Sequence, residues 1–348
     1  MSPTSTTPKS VCLLRLSALG DVCNTVPLVR AMQRTWPETS LTWIVGRLEH
    51  QLVEDLPGVE FIVFDKKGGR AAVSGLKRQL AGRRFDTLLH IQVSLRANWL
   101  ARLVKAKRRI GFDRERARDG HGLVINERIA ARAFQHQAEA FLEFARYLGL
   151  DTKNIDRRLP LPKDTIEFAR RHQPDPGRAV IISPASSHPQ RNWHIAGYAQ
   201  VADWIIEHTE RPVILAGGPT ATERELGAAI EASMRHQPIN LIGQDTLKQA
   251  VAMYDRAACL VTPDSGPAHL AAAMDTPVVG LYAATWSRRS GPLGSLEHCV
   301  DHFEQAALRF MGKPAEKVRW GRRLEFPGVM DLITPGEVIG KLETVLGD

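Results

Sequence analysis

Cysteine is scarce in this sequence. The 348 residues hold four, Cys12, Cys23, Cys259 and Cys299, far apart and without a Cys-x-x-Cys pair. That spacing argues against a zinc site and a disulfide framework, and fits a reducing cytoplasm. Long apolar runs are missing as well: stretches such as residues 277–284 fall far below the roughly 20 residues that span a bilayer. The opening MSPTSTTPKS lacks the apolar segment of a secretory signal and reads as a short frayed tail. No G-x-G-x-x-G follows a strand-like run and no Walker motif occurs, which weakens dehydrogenase and P-loop ATPase readings. Asp-x-Asp, short-period repeats and low-complexity tracts are absent too. What is left is a soluble chain, or one attached at most to a membrane surface.

The composition is that of a globular protein, with 43% hydrophobic and 24% charged residues, and the length suits two domains. Short β-rich runs alternate with helical patterns, the signature of parallel α/β sheets. In the first part the strand candidates are 11–16, 41–45, 61–64, 87–91 and 109–112, with helices over 22–35 and 135–148. Pro27 sits inside the first of those helical patterns. Residues 161–176, opened by Leu159-Pro160-Leu161-Pro162, read as a linker with its own short helix. The alternation then restarts, with strands over 179–183, 212–216, 240–242, 259–261 and 278–281. Helices are expected over 195–208, 223–234, 247–256 and 268–274, and an amphipathic one over 335–346. The expected domains are 9–160 and 177–333, with a terminal helical segment at 334–348. Two doubly wound halves would place ligands at the carboxyl ends of their strands.

Three turns in this layout carry chemistry. Leu16-Ser17-Ala18-Leu19-Gly20-Asp21 follows the first strand, and Asp21 could cap a helix or take a proton from a hydroxyl nucleophile. Residues 183–193 bring Ser186, Ser187 and Arg191 into one loop, either an ordinary polar loop or a phosphate cradle. Asp264-Ser265-Gly266-Pro267-Ala268-His269 ends another strand, with backbone N–H groups at a helix start. His269 is there either a core histidine or a group at the mouth of the site. Asp264 opposes phosphate, so it braces the loop or meets ligand hydroxyls.

The charge is uneven. From Arg96 to Arg132 there are eleven Lys and Arg against four acids, nearly all of the net charge of +8. That run is a solvated face or a surface for an anionic partner. Only Trp99 and Phe112 interrupt it with rings, too few for a base-stacking platform, so nucleic acid is not the expected partner.

In their order and placement the three turns resemble glycosyltransferase family 9, the ADP-heptose lipopolysaccharide heptosyltransferases. Asp264 to His269 is similar to the family's D-[ST]-G-x-x-H, and Leu281-Tyr282-Ala283-Ala284-Thr285 to its Y-G-x-T, with alanine for glycine at 283. Residues 17–21 resemble S-x-x-G-D, and 186–193 the T-T/S…K-x-W loop with Arg191 in place of lysine. The resemblance implies a GT-B architecture of two facing Rossmann-like domains, an acceptor half and a donor half, with the last helix packing back on the N-terminal domain. It implies inverting, metal-independent transfer of heptose from ADP-heptose to Kdo-lipid A or a heptosylated core, with no cofactor. Asp21 would be the general base, and Ser186, Ser187, Arg191, Asp264, Ser265, Gly266 and His269 would hold the donor. Arg96, Arg114, Arg118 and His136 are the candidates for the anionic acceptor. A cytoplasmic enzyme seated peripherally at the inner membrane follows. The alternative is another nucleotide-sugar transferase, or an epimerase, on the same fold.

Overall fold

A computed structural model describes residues 7–347. The first six residues, read above as part of a tail, lie outside the described residues. The chain divides into two compact units, one up to Pro160 and one from Leu161 onward.

The first unit holds a parallel sheet of β1 (Ser10–Leu14), β2 (Ser40–Gly46), β3 (Val59–Phe64), β4 (Phe85–His90), β5 (Ala106–Gly111) and β6 (Glu127–Arg128), ordered β3-β2-β1-β4-β5-β6. The second holds β7 (Val180–Ile182), β8 (Val213–Leu215), β9 (Ile239–Asn240), β10 (Cys259–Pro263), β11 (Val278–Tyr282) and β12 (Val300–Asp301), also parallel and ordered β12-β11-β10-β7-β8-β9. The two sheets have one topology. In each, the first strand is central, the second and third extend to one side, and the fourth to sixth to the other. The strand order therefore reverses between β1 and β4, and again between β7 and β10, where doubly wound sheets bind ligands.

Central strands buried on both faces need near-continuous apolar sequence, and β1 and β10 supply it. Cys12, Leu14, Ile44, Ile62 and Leu88 form part of one core, and Val180, Ile182, Val213, Val261 and Val279 part of the other. All four cysteines are free and buried. The two strands not foreseen, β6 and β12, have two residues each, too short for a sequence pattern to show. The single helix expected over 22–35 is two, Leu19–Cys23 and Val26–Thr35. The break puts Pro27 in the first turn of the second helix, where its missing N–H costs nothing.

Helix Lys163–His172, within the segment read as a linker, packs on helix Leu247–Arg256 of the second unit. Gln173 Nε2 donates to Met253 O at 2.8 Å there, and Arg256 Nη2 to Pro174 O at 2.8 Å. Helix Pro335–Leu346 starts with a capping box between Thr334 and Glu337. Its main packing within the second unit is on helix Ile195–Thr209, β11 and β12. Its apolar stripe makes that contact: Val338 and Leu342 are fully buried in the second unit's core.

Candidate active site

In the first unit, the turn after β1 is built around a charge that the strand pattern conceals. Arg15, the one ion in the run VCLLRL, is buried. Its Nη1 donates to Ile91 O at 2.7 Å, its guanidinium lies 5.0 Å from the Phe141 ring centre, and its Nη2 pairs with Asp21 Oδ2. Burial lowers the pKa of Arg15, and the Asp21 charge opposes that shift. Asp21 lies in the short helix Leu19–Cys23, whose N-cap, Ala18, takes no side-chain bond. The carboxylate is therefore not spent on capping. Its Oδ1 receives no hydrogen bond among the described residues, and the side chain is 29% exposed.

Two further contacts fix the turn. Leu16 N donates to Gln92 Oε1 at 2.7 Å, from the loop after β4, and Gln92 Nε2 reaches Ser17 Oγ at 3.3 Å. Gly46, ending β2, lets that strand approach the turn: a Cβ there would stand 2.4 Å from Leu16 O. Next to it the buried Glu49 pairs with Lys66 at 2.6 Å, and its charge supports that of Arg15.

Beyond β4 a buried polar network holds the basic segment. Phe112 N donates to His121 Nε2 at 3.1 Å, which leaves His121 Nδ1 as the donor to Asn98 Oδ1 at 3.0 Å. The same oxygen meets His90 Nε2 at 2.8 Å, while Asn98 Nδ2 donates to the carbonyls of Arg118 and Asp119 at 3.2 and 2.8 Å. Burial lowers both imidazoles, His90 to about 3 and His121 to about 4. Both rings are thus neutral and serve as fixed hydrogen-bond partners.

Of the acceptor candidates, Arg96, Arg114 and Arg118 are exposed. Asn98 fastens the turn carrying Arg118 to the helix carrying Arg96, and Arg114 lies on the same 113–118 turn, closed by Ala117 N to Asp113 O at 2.9 Å. His136 is not brought into this group by any of these bonds. It is the N-cap of helix Gln137–Tyr147, its Nδ1 accepting from Ala138 N at 3.2 Å.

In the second unit, the turns after β7 and β10 are joined at the reversal of strand order. Thr262 Oγ1 donates to Ser183 O at 2.8 Å and meets Ser265 Oγ at 2.9 Å. Ser265 is the N-cap of helix Gly266–Ala273, with Pro267 in its first turn and the half-buried His269 one turn in. The helix's first N–H groups thus open at the end of β10. Arg191, 5% exposed, links the two turns. Its Nη2 donates to Ser187 Oγ at 2.6 Å and its Nη1 to Asp264 O at 3.3 Å, with Asp264 Oδ2 at 3.7 Å. Glu325 Oε1 stands 3.3 Å from Arg191 Nε, an ion pair out of line for a hydrogen bond. Burial lowers the Arg191 pKa, against the pull of Asp264.

The loop is fixed from within. Ser186 N donates to Asn192 Oδ1 at 2.7 Å and its hydroxyl to His188 O at 2.9 Å, so Ser186 shapes the loop while Ser187 meets the guanidinium. Trp193 lies beneath, its Nε1 donating to Ile333 O at 3.1 Å. Gly197 leaves room for that ring, since a Cβ would fall 2.6 Å from it. Asp264, ambiguous in the sequence, braces one loop against the other through Arg191, and Ser290 Oγ lies 3.5 Å from it. Buried Tyr282 is pushed well above the usual tyrosine range by desolvation, with the Asp264 charge adding to it.

The sequence reading missed Arg15, Gln92, Glu49, the His90–Asn98–His121 network and Glu325. Arg15 carried a signal, a lone charge in an apolar strand run. Glu325, far along the chain, carried none.

No helix among the described residues is long and apolar enough to cross a membrane. The sequence profile of glycosyltransferase family 9 (heptosyltransferase) matches residues 73–318. The lipopolysaccharide core heptosyltransferase OpsX of Haemophilus influenzae is 37% identical over 336 residues, 97% of this chain and 96% of that one. Among solved structures, a family 9 glycosyltransferase from Veillonella parvula superposes with a TM-score of 0.80 at 23% identity, covering 97% of each chain. The heptosyltransferase WaaC of E. coli with ADP gives 0.74 at 19%, over 97% of this chain and 99% of that one. These two likenesses show the fold, two six-stranded parallel α/β sheets of the GT-B kind. With the profile over well more than half the chain and a relative above a third identical along nearly all of it, the chain belongs to glycosyltransferase family 9, the heptosyltransferases.

Proposed function

We propose that this enzyme transfers heptose from ADP-heptose to a hydroxyl of the lipopolysaccharide inner core, on Kdo-lipid A or an already heptosylated core, with inversion and without a metal. The observation that carries the reading is Arg191, buried at the strand-order reversal and bonded to both Ser187 and the Asp264 turn. A guanidinium fixed from two loops, beside a helix N-terminus, suits the oxygens of a diphosphate. That the OpsX relative is named for the lipopolysaccharide core, and WaaC was solved with ADP, supports the same donor and acceptor here.

In this mechanism the acceptor hydroxyl oxygen attacks the anomeric carbon and its proton passes to Asp21 Oδ1, while Arg15 holds Oδ2 and so the plane of the carboxylate. The bond from that carbon to the diphosphate oxygen breaks, and the charge left on the leaving group is met by Arg191, Ser187 and the N–H groups at Gly266. Attack opposite the leaving group inverts the anomeric centre. Ser186 keeps the loop closed, and Asp264 and His269 line the donor site. Arg96, Arg114 and Arg118 meet phosphates and carboxylates of the acceptor, and His136, the N-cap of helix Gln137–Tyr147, is a further acceptor contact. The enzyme works at the cytoplasmic face of the inner membrane.

The test is incubation with ADP-heptose and defined truncated lipopolysaccharides, read by mass spectrometry. The expected product gains one heptose on an inner-core acceptor. Calorimetry against UDP- and GDP-sugars runs alongside; binding of one of those, with none of ADP-heptose, would overturn the donor assignment in favour of another nucleotide-sugar transferase or an epimerase.

A further inference from the structure

One exposed face of the first unit is apolar and basic at once. Helix Leu95–Ala101 buries Ala97, Asn98, Leu100 and Ala101 and turns Leu95, Arg96 and Trp99 outward, with the exposed Arg102 following at the same spacing. Leu95 is 72% exposed and Trp99 46%, far more than the fold requires of such side chains. The turn His121–Leu123 lies against this helix, because Asn98 bonds His121 and the carbonyls of Arg118 and Asp119. Leu123 on that turn is 80% exposed. Arg128 lies beside it, since a Cβ on Gly122 would stand 2.9 Å from its Nη2.

The chemistry of the face selects its occupant. From Leu95 to Arg102 there is no acid; Asp113 and Glu127 are paired with Arg116 and Arg108, and the two other acids of the segment, the exposed Glu115 and Asp119, are outnumbered by the exposed Arg96, Arg102, Arg114, Arg118 and Arg128. A protein interface concentrates its apolar groups and depletes charge at its centre. Here arginines alternate with leucine and tryptophan, the mixture that seats a surface among anionic headgroups. The neutral, buried His90–Asn98–His121 network keeps helix and turn in one rigid surface.

We propose that this face docks on an anionic lipid bilayer. Leu95, Trp99 and Leu123 enter the boundary between headgroups and acyl chains, and Arg102 and Arg128 meet the lipid phosphates. The proposal rests on the membrane-facing part of the function above and gives it a surface, but its test needs neither donor nor acceptor.

The full-length protein is sedimented with vesicles of phosphatidylcholine alone and of phosphatidylcholine mixed with phosphatidylglycerol. Binding to the mixed vesicles only, weakened by salt, is expected. Leu95→Ser with Trp99→Ser should lower vesicle affinity roughly ten- to a hundredfold, and Arg102→Glu with Arg128→Glu should abolish the preference for anionic lipid. All these positions are exposed, so circular dichroism should be unchanged. The serine pair should also keep transfer to a lipid-free acceptor while losing transfer to the same acceptor held in vesicles. Vesicle binding by the serine pair equal to that of the unaltered protein overturns the proposal. So does a self-association of the unaltered protein that the serine pair abolishes without any vesicle binding, which would make the face a protein interface. Loss of transfer to the lipid-free acceptor in the unaltered protein counts against the proposed function and leaves the vesicle result standing.

Discussion

At the strand-order reversal of the first unit, a partly exposed acid, Asp21, is backed by a buried arginine, Arg15. At the corresponding place in the second unit, a buried arginine, Arg191, is set against two acids, Asp264 and Glu325. The sheets around them have the same strand order, so topology decides where each group stands and the local residues decide what it does. One half presents a partly exposed carboxylate and the other a buried guanidinium, which the proposed mechanism uses as proton acceptor and as partner of the leaving group. Each ion is paired, which limits the cost of taking it out of water.

The comparison can be broken at either end. Asp21→Asn should cut turnover by about two to four orders of magnitude, measured as heptose transferred per enzyme under saturating donor. Arg191→Ala should weaken donor binding roughly ten- to a hundredfold, and it also leaves Asp264 and Glu325 without their partner, so its melting temperature should fall. Arg191→Lys restores the charge without the fork that reaches Ser187 and the Asp264 carbonyl together, and should recover stability more than affinity.

A smaller effect tests the first unit alone. Asn98→Leu strips the acceptor from two buried imidazole donors and should cost about 1–3 kcal/mol. Hydrogen exchange should show the loss concentrated in residues 85–125 and little in the second unit.

The smallest effect separates the halves by pH. His90 and His121 are lowered to about 3 and about 4 by burial, whereas an unfolded imidazole titrates near 6.5. Below that pH the unfolded chain takes protons the folded one refuses, so the first unit loses stability as pH falls from about 6.5 towards 4. Half-buried Asp245, in the second unit, is raised by desolvation to about 7, against about 3.9 unfolded. There the folded chain keeps a proton the unfolded chain gives up, so this group's contribution is lost as pH rises from about 4 to 7. Exchange rates followed across that range should move in opposite directions in peptides around His121 and around Asp245, and Asp245→Asn should flatten the second trend.

Much of this architecture was legible in the chain. Ten strands could be placed because buried parallel strands are apolar runs set between helical patterns, and the three loaded turns stood at their ends. The motifs marked Asp21, Arg191 and Asp264, since each is a polar group in a segment that follows a strand. Sequence could not show what holds them. Arg15 looks like an interruption of a strand until its guanidinium is seen on Asp21, and Glu325 approaches Arg191 from more than a hundred residues away. The final helix was placed correctly along the chain and its apolar stripe was visible, yet a stripe does not say which core it enters; Val338 and Leu342 enter the second.

The division of labour between the halves is tested most directly by titrating ADP-heptose calorimetrically into Asp21→Asn and Arg191→Ala side by side. The account predicts donor affinity unchanged in Asp21→Asn and weakened roughly ten- to a hundredfold in Arg191→Ala. Equal loss in both, or loss in Asp21→Asn alone, would contradict it.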